Sequence, residues 1–303
     1  MDVYVAPGIS YASEAKRLSS YLGATYLEVR HKVFPDGERY LRIEGSSRVD
    51  GKPVVVVNTM FPNQNDSFIE TLMLINAAKK AGASKIVTFI PYLAYARQDK
   101  VFLEGEPISA EVVVKAIRNV GGDCLVVVDA HSEKVLRFFG TCTVNLLVFD
   151  KLVEKALQHT NNPVIIAPDE GALHRAEYAA KKLGLDYDYL VKHRDRETGS
   201  IRIEPKEISV KERDVIIVDD IISTGGTIAE AAKMILSQGA RRIVVAASHG
   251  LLVGGALEKM RKAGIYRVYL ANTLGVKYDD PLIEYVDILD VAANAIRSLL
   301  GMG

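Results

Sequence analysis

The sequence predicts an α/β protein of two domains, each a mostly parallel sheet flanked by helices. Three observations carry that expectation. Short β-branched runs alternate with amphipathic stretches, the pattern of strands joined by crossover helices. At 303 residues and 49% hydrophobic content, the chain exceeds one typical domain and can fill two cores. One pattern also occurs twice: S-F-I-E…A-G-A-S-K-I-V-T-F from Ser67, and T-I-A-E…Q-G-A-R-R-I-V-V-A from Thr227. In each, a polar residue able to cap a helix precedes the helical stretch, then come Gly-Ala, two polar residues and a β-branched strand. Another β-branched run, 54–57 or 215–218, precedes each helix. The first helix is expected to be three residues longer, close to one turn. The echo reads as a duplication, or as the ordinary likeness of two βαβ units.

The first half begins with a strand at 3–5 and a helix at 13–22. Phe34-Pro35-Asp36-Gly37-Glu38-Arg39 is a turn with carboxylates beside an aromatic ring, and its Pro and Gly suit a hairpin tip. Strand 54–57 leads through Asn63-Gln64-Asn65-Asp66 into helix 66–81. Strand 86–90 ends in Pro91-Tyr92-Leu93-Ala94-Tyr95-Ala96-Arg97-Gln98-Asp99-Lys100. Open α/β sheets bind ligands at such strand ends, and this mixture suits an aromatic, anionic ligand or a subunit interface. Helix 110–119 and strand 125–128 follow, running into Asp129-Ala130-His131-Ser132. His131 could ligate a metal, contact phosphate, or simply be solvated. The domain boundary is expected near 143–149, giving domains 1–145 and 146–286, with 287–303 able to fold back on the first.

The second half opens with helix 149–158, strand 164–166, the acidic turn Pro168-Asp169-Glu170-Gly171 and helix 171–183. Asp169 is placed to hold Mg2+ with phosphate oxygens, and N–H groups around Gly171 suit a diphosphate. Lys192, Arg194 and Arg196 put three permanent cations within five positions. They read as a solvated hairpin, or as a cationic loop closing over transferring phosphoryl groups. Residues 215–229 read V-I-I-V-D-D-I-I-S-T-G-G-T-I-A and are the richest stretch. Strand 215–218 is followed by Asp219 and Asp220, then Ser223-Thr224-Gly225-Gly226-Thr227 and helix 227–238. Free loop N–H groups, a helix dipole and three hydroxyls make an anion site, and glycine lets the backbone approach phosphate oxygens. The carboxylates would repel phosphate and suit sugar hydroxyls or a metal. Together they point to a phosphorylated sugar. The pattern is neither a Walker loop nor G-x-G-x-x-G. The first repeat lacks the glycines and the Asp pair, so this site is expected in the second half alone. Strand 243–246, helix 256–263, strand 268–270 and helix 292–300 complete the chain.

Lys+Arg and Asp+Glu are 38 each, so the net charge is zero and nothing points to nucleic acid or an anionic membrane. No apolar run reaches a spanning helix, and M-D-V-Y-V-A-P-G has no signal-peptide pattern. Cys124 and Cys142 suggest neither CxxC chemistry nor a disulfide framework, so a reducing cytoplasm is expected. Four Gln, no Trp and many charged residues hint at a thermophilic source.

The stretch at 219–227 looks like the phosphoribosyl-diphosphate motif of phosphoribosyltransferases. With F-P-D-G-E at 34–38, Y-A-R-Q-D at 95–99, D-A-H-S at 129–132, P-D-E-G at 168–171 and K-H-R at 192–194, nearly the whole chain resembles the ribose-phosphate diphosphokinase family. The resemblance implies two phosphoribosyltransferase-like domains with the active site between them. It implies ATP and ribose 5-phosphate as substrates, Mg2+ as cofactor and a homo-oligomer, dimer or hexamer. Phe34, Asp36, Gly37 and Glu38 would serve the ATP of a neighbouring subunit, and Arg97, Gln98 and Asp99 would also bind ATP. His131 and Asp169 would be metal sites. Asp219 and Asp220 would take the ribose hydroxyls, and Ser223, Thr224, Gly225, Gly226 and Thr227 the 5-phosphate. Lys192 and Arg194 would be the catalytic cations, with Arg194 also on the sugar phosphate. Ser223 stands where many members have Asp, D-E-G-A replaces the commoner D-H-G-G, and the segment after Asp99 is less basic than usual. The alternatives are a catalytically silent regulatory subunit and a phosphoribosyltransferase.

Overall fold

The computed structural model describes residues 2–194, 201–203 and 208–302, with only the backbone of 192–194 and 201–203. The chain divides into two compact units, Met1–Leu146 with Thr273–Val276 and Ile288–Gly303, and Leu147–Asn272 with Lys277–Asp287.

The first unit contains β1 (Tyr4–Pro7), α1 (Ala12–Leu22), β2 (Thr25–Tyr26), β3 (Val29–Val33), β4 (Arg39–Ile43), β5 (Pro53–Val57), α2 (Gln64–Lys80), β6 (Lys85–Ile90), α3 (Ser109–Val120), β7 (Cys124–Val128) and β8 (Thr143–Leu146). The second contains α4 (Phe149–Leu157), β9 (Pro163–Ala167), α5 (Leu173–Leu183), β10 (Asp186–Tyr189), β11 (Lys192–Arg194), β12 (Ile201–Ile203), β13 (Asp214–Ile222), α6 (Gly226–Ser237), β14 (Arg242–Gly250), α7 (Ala256–Lys262), β15 (Ile265–Ala271) and β16 (Ile283–Val286). The last helix, α8 (Leu289–Leu300), returns to the first unit.

Each unit has a six-stranded sheet, ordered β2-β1-β5-β6-β7-β8 and β10-β9-β13-β14-β15-β16. Every pairing in both is parallel. The orders correspond strand for strand. Each unit also inserts one antiparallel hairpin at the same point in the chain, β3–β4 in the first and β11–β12 in the second. The first unit's α8 packs on α1, where Arg297 donates to the Tyr21 carbonyl, and the Lys85 ammonium donates to the Leu299 carbonyl at 2.6 Å. In the second unit α4 packs on α5 in the equivalent way. So each unit is completed by the helix that follows the other's last strand.

The central strands are buried along their length because helices cover both faces of a parallel sheet. All five residues of β5, P-V-V-V-V, are buried, as are Asp214 to Val218 of β13. Val215 and Ile217 pack with Ile228, Ala231, Ala232 and Ile235 of α6. Each fully buried Val, Ile or Leu side chain contributes roughly 1.5–3 kcal/mol.

Several elements depart from the sequence-based expectations. α2 has 17 residues and α6 has 12, a difference of five rather than three, because α2 starts earlier, at Gln64. β13 does not stop at Val218; its pairing with β14 continues to Ile222 and carries the Asp pair inside the strand. The expected helix at 171–183 is a 3-10 turn, Glu170–Ala172, followed by α5. Cys124 and Cys142 are joined in a disulfide, Cα–Cα 4.7 Å, across the β7–β8 ladder. The physical reason is register: Leu125 pairs with Thr143, so the preceding cysteines lie side by side. Among the described residues no helix is long and apolar enough to cross a membrane.

Candidate functional site

In the first unit the candidate residues gather at the C-terminal edge of the sheet. Residues 91–99 leave β6 and residues 129–132 leave β7, which are neighbours. The turn 34–38 is the tip of the β3–β4 hairpin, closed by Phe34 N–H to the Glu38 carbonyl at 2.8 Å and Gly37 N–H to the Phe34 carbonyl at 2.9 Å. Asp36 and Glu38 are exposed and the Asp36 carboxylate accepts from Glu38 N–H at 3.1 Å. Phe34 stands edge-on to Tyr40, and the Lys32 ammonium lies 4.5 Å from its ring centre. The tip is therefore a hairpin turn that also displays an aromatic ring with two carboxylates.

The first turn of α2 ties these segments together, through residues to which the sequence assigned no role. Arg39, just past the tip, pairs with Asp66, and Tyr95 donates its hydroxyl hydrogen to Asn65. One turn further, buried Glu70 accepts from Ile9 N–H at 3.1 Å and meets His31 of β3 at 2.8 Å. Gln98 has its side-chain oxygen held by the Ser109 hydroxyl at the start of α3, while Arg97 is exposed and Asp99 half-buried. Exposed His131 follows Asp129 and Ala130, whose N–H groups donate to the Leu146 carbonyl and the Asn145 side chain of β8, both at 2.9 Å.

In the second unit the residues gather at the corresponding edge. β9 leads through Pro168 to Asp169, whose carboxylate accepts from Ala172 N–H at 3.1 Å. That N–H is spent within the turn, so the expected diphosphate cradle around Gly171 loses this donor. β13 presents Asp219, half-buried, and Asp220, 4% exposed. Burial, then the charge of Asp220 beside it, pushes the Asp219 carboxyl well above its usual range; Asp169 adds to this and Arg175 opposes it. Arg175 of α5 was not among the residues singled out from sequence. It is 2% exposed and pairs with Asp220 at 3.5 Å.

After β13 the chain turns through Ser223, Thr224 and Gly225 into α6. Gly225 has φ +72°, and a Cβ there would lie 3.1 Å from the Ala256 carbonyl oxygen. Glycine suits both the left-handed turn and the close approach, where a side chain would be strained. Val253 N–H donates to the Ser223 carbonyl at 3.0 Å and the Lys259 ammonium to the Thr224 carbonyl at 3.3 Å, which fixes the turn from its carbonyl side. A turn held this way at a helix N-terminus can bind an anion, and the carboxylates behind it can accept from hydroxyls. Lys192 and Arg194 lie on β11, opposite Ile203 and Ile201 of β12; their side chains, and Arg196, lie outside the described residues.

Comparison with known proteins agrees with this architecture. Residues 4–121 match the N-terminal domain of ribose phosphate pyrophosphokinase, and 146–278 the phosphoribosyl transferase domain. The chain is 39% identical over 296 residues to the ribose-phosphate pyrophosphokinase of Aeropyrum pernix, covering 97% of this chain and 95% of that one. It is also 39% identical over 283 residues to that of Saccharolobus solfataricus, covering 93% and 95%. The crystal structure of phosphoribosylpyrophosphate synthetase from Mycobacterium smegmatis superposes over 100% of both chains, with a TM-score of 0.89 and 28% identity. The chain belongs to the ribose-phosphate pyrophosphokinase family.

Proposed function

We propose that the chain transfers the diphosphoryl group of ATP to the C1 hydroxyl of ribose 5-phosphate, giving 5-phosphoribosyl 1-diphosphate and AMP. The observation that carries this reading is one strand, β13, that places an Asp pair two residues before a glycine turn at a helix N-terminus, in a chain matched nearly end to end by ribose-phosphate pyrophosphokinases.

Asp219 and Asp220 accept from the ribose hydroxyls. Ser223, Thr224, Gly225, Gly226 and Thr227 give the 5-phosphate hydroxyl and N–H donors. Phe34 stacks on adenine beside Asp36, Gly37 and Glu38, while Arg97, Gln98 and Asp99 hold the rest of the nucleotide. The C1 oxygen attacks the β-phosphorus, the bond to the bridging oxygen breaks, and AMP leaves with that oxygen. The protein's task is alignment and charge neutralisation. Lys192 and Arg194 meet the charge on the transferring group and the leaving α-phosphate. Asp169 suits a divalent cation, because Mg2+ takes one or two protein carboxylates together with substrate phosphates. Asp169, and His131 in the first unit, would hold Mg2+, which supplies further neutralisation of phosphate charge.

The exposed 34–38 tip suits service to a neighbouring subunit in a homo-oligomer, dimer or hexamer. A monomer would then be inactive, and turnover by a monomer in sedimentation coupled to assay would remove this assignment. The enzyme is cytoplasmic; intracellular proteins of hyperthermophiles do carry structural disulfides.

The reaction is tested by phosphorus NMR of the protein with ATP, Mg2+ and ribose 5-phosphate. AMP and a sugar diphosphate appear together if the reading holds. ADP as the only new nucleotide would mean γ-phosphoryl transfer and a different enzyme. No turnover with both substrates bound would leave a silent subunit.

A further inference from the structure

The Asp219 carboxylate folds back on its neighbour and accepts from Asp220 N–H at 2.9 Å. Asp220 turns toward α5 and meets Arg175, with side chains only 6% and 3% exposed. Arg175 also reaches the Gly171 carbonyl oxygen at 3.5 Å, beside the Asp169 turn. Arg175 thus pairs with Asp220, and its charge opposes that of Asp169 and Asp220 on the Asp219 carboxyl. A buried carboxylate without a cation gives up its charge or moves toward water. Once protonated it has less capacity to accept from a pair of sugar hydroxyls.

We propose that Arg175 is a positioning residue for diphosphoryl transfer: it holds Asp220 as a fixed, ionised acceptor for the vicinal hydroxyls of the sugar phosphate. The inference rests on the assignment of Asp219 and Asp220 to the sugar. Arginine suits this place better than lysine. Its guanidinium stays charged when buried, is weakly hydrated, and offers several donors in one plane, so it can serve Asp220 and the Gly171 carbonyl at once.

The test is calorimetric titration of ribose 5-phosphate into the full-length protein, Arg175→Lys, Arg175→Met and the double variant Arg175→Met/Asp220→Asn. KM for both substrates, kcat and thermal stability are measured alongside. Both single variants bind ribose 5-phosphate at least tenfold more weakly, while KM for ATP stays within twofold. The double variant removes the stranded charge with its partner, so it regains stability lost in Arg175→Met and does not regain affinity. A purely structural arginine predicts the opposite: lower stability with affinity unchanged. Wild-type affinity in either single variant overturns the proposal. So does recovery of affinity in the double variant, or an equal loss for ATP, which marks general distortion. If Arg175→Met does not fold, Arg175→Lys decides on the same criteria. Absence of ribose 5-phosphate binding by the unaltered protein would overturn the sugar site itself, and this inference with it.

Discussion

After β5 the chain passes through Asn58, Thr59, Met60 and Phe61, all buried, before α2 begins at Gln64. After β13 it needs only Ser223, Thr224 and Gly225 before α6 begins at Gly226. These junctions hold the same place in two sheets of the same order. The first spends its polar groups internally: the Asn58 amide donates to Ser67, Glu70 and Thr71, each at 3.2 Å, and Thr59 to the Thr273 carbonyl at 2.7 Å. The second is held through its carbonyls, Ser223 accepting from Val253 N–H and Thr224 from the Lys259 ammonium. One topology thus accommodates two differently held junctions, and side-chain choice within a few residues decides between them. The inserted hairpins diverge in the same way. The first displays Phe34 between Lys32 and Tyr40; the second carries Lys192 and Arg194 on its strand.

The largest effect belongs to the second hairpin. Lys192→Ala should lower kcat at least a hundredfold with the fold retained, since losing one such contact typically costs about 3–4 kcal/mol in the barrier. A near-wild-type kcat would remove Lys192 from the mechanism. Next is the disulfide, which has no counterpart in the second unit. It closes a segment of 18 residues, so Cys142→Ser should cost the first unit about 3 kcal/mol in a denaturant melt. A melt unchanged by the substitution or by reductant would show that the bridge contributes nothing.

Gly225→Ala should cost about 1–2 kcal/mol from the left-handed turn alone. It should also weaken ribose 5-phosphate, because a methyl 3.1 Å from the Ala256 carbonyl oxygen shifts the turn. Unchanged affinity would mean that the turn does not touch the sugar phosphate. The smallest effect concerns the opposite end of the second sheet, where fully buried Asp214 accepts from Arg241 at 2.7 and 2.8 Å and from Asn161 N–H at 2.7 Å. Burial pushes the Asp214 carboxyl up, but the hydrogen bonds from Arg241 and Asn161 and the charges of Arg241 and Arg242 hold it below its usual value. A depressed carboxyl stabilises the fold above its unfolded pKa, about 3.9. That contribution is lost as pH falls through the lower folded value. Arg241→Ala should lower stability slightly near neutral pH and flatten this acid limb. An acid limb identical to wild type would show that the pair carries no pH-linked stability.

The legible parts of the fold are those where burial is total. Runs such as Val54–Val57 or Ile243–Val245 admit only a covered strand. The edge strands β10, D-Y-D-Y, and β16, I-E-Y-V, escaped notice because each pairs on one side only and keeps polar residues. The Asp pair and glycine turn stood out because their chemistry is local in sequence. The disulfide did not, since it depends on strand register. Arg175 did not either: its partner lies on another element, and its one signal is a cation on a helix whose other inward residues are Ala176, Ala179 and Ala180. Asn65, Asp66 and Glu70 did not stand out either, because their partners Tyr95, Arg39 and His31 lie on other segments.

The division of substrates between the two units is tested most directly by a crossed binding measurement. A non-hydrolysable ATP analogue and ribose 5-phosphate are each titrated into Phe34→Ala and Gly225→Ala. Loss of a base–aromatic stack costs about 1–3 kcal/mol. Phe34→Ala should therefore weaken the nucleotide by roughly tenfold and leave ribose 5-phosphate within twofold, with Gly225→Ala doing the reverse. Phe34→Ala weakening ribose 5-phosphate as much as the nucleotide, or Gly225→Ala weakening only the nucleotide, would contradict the division.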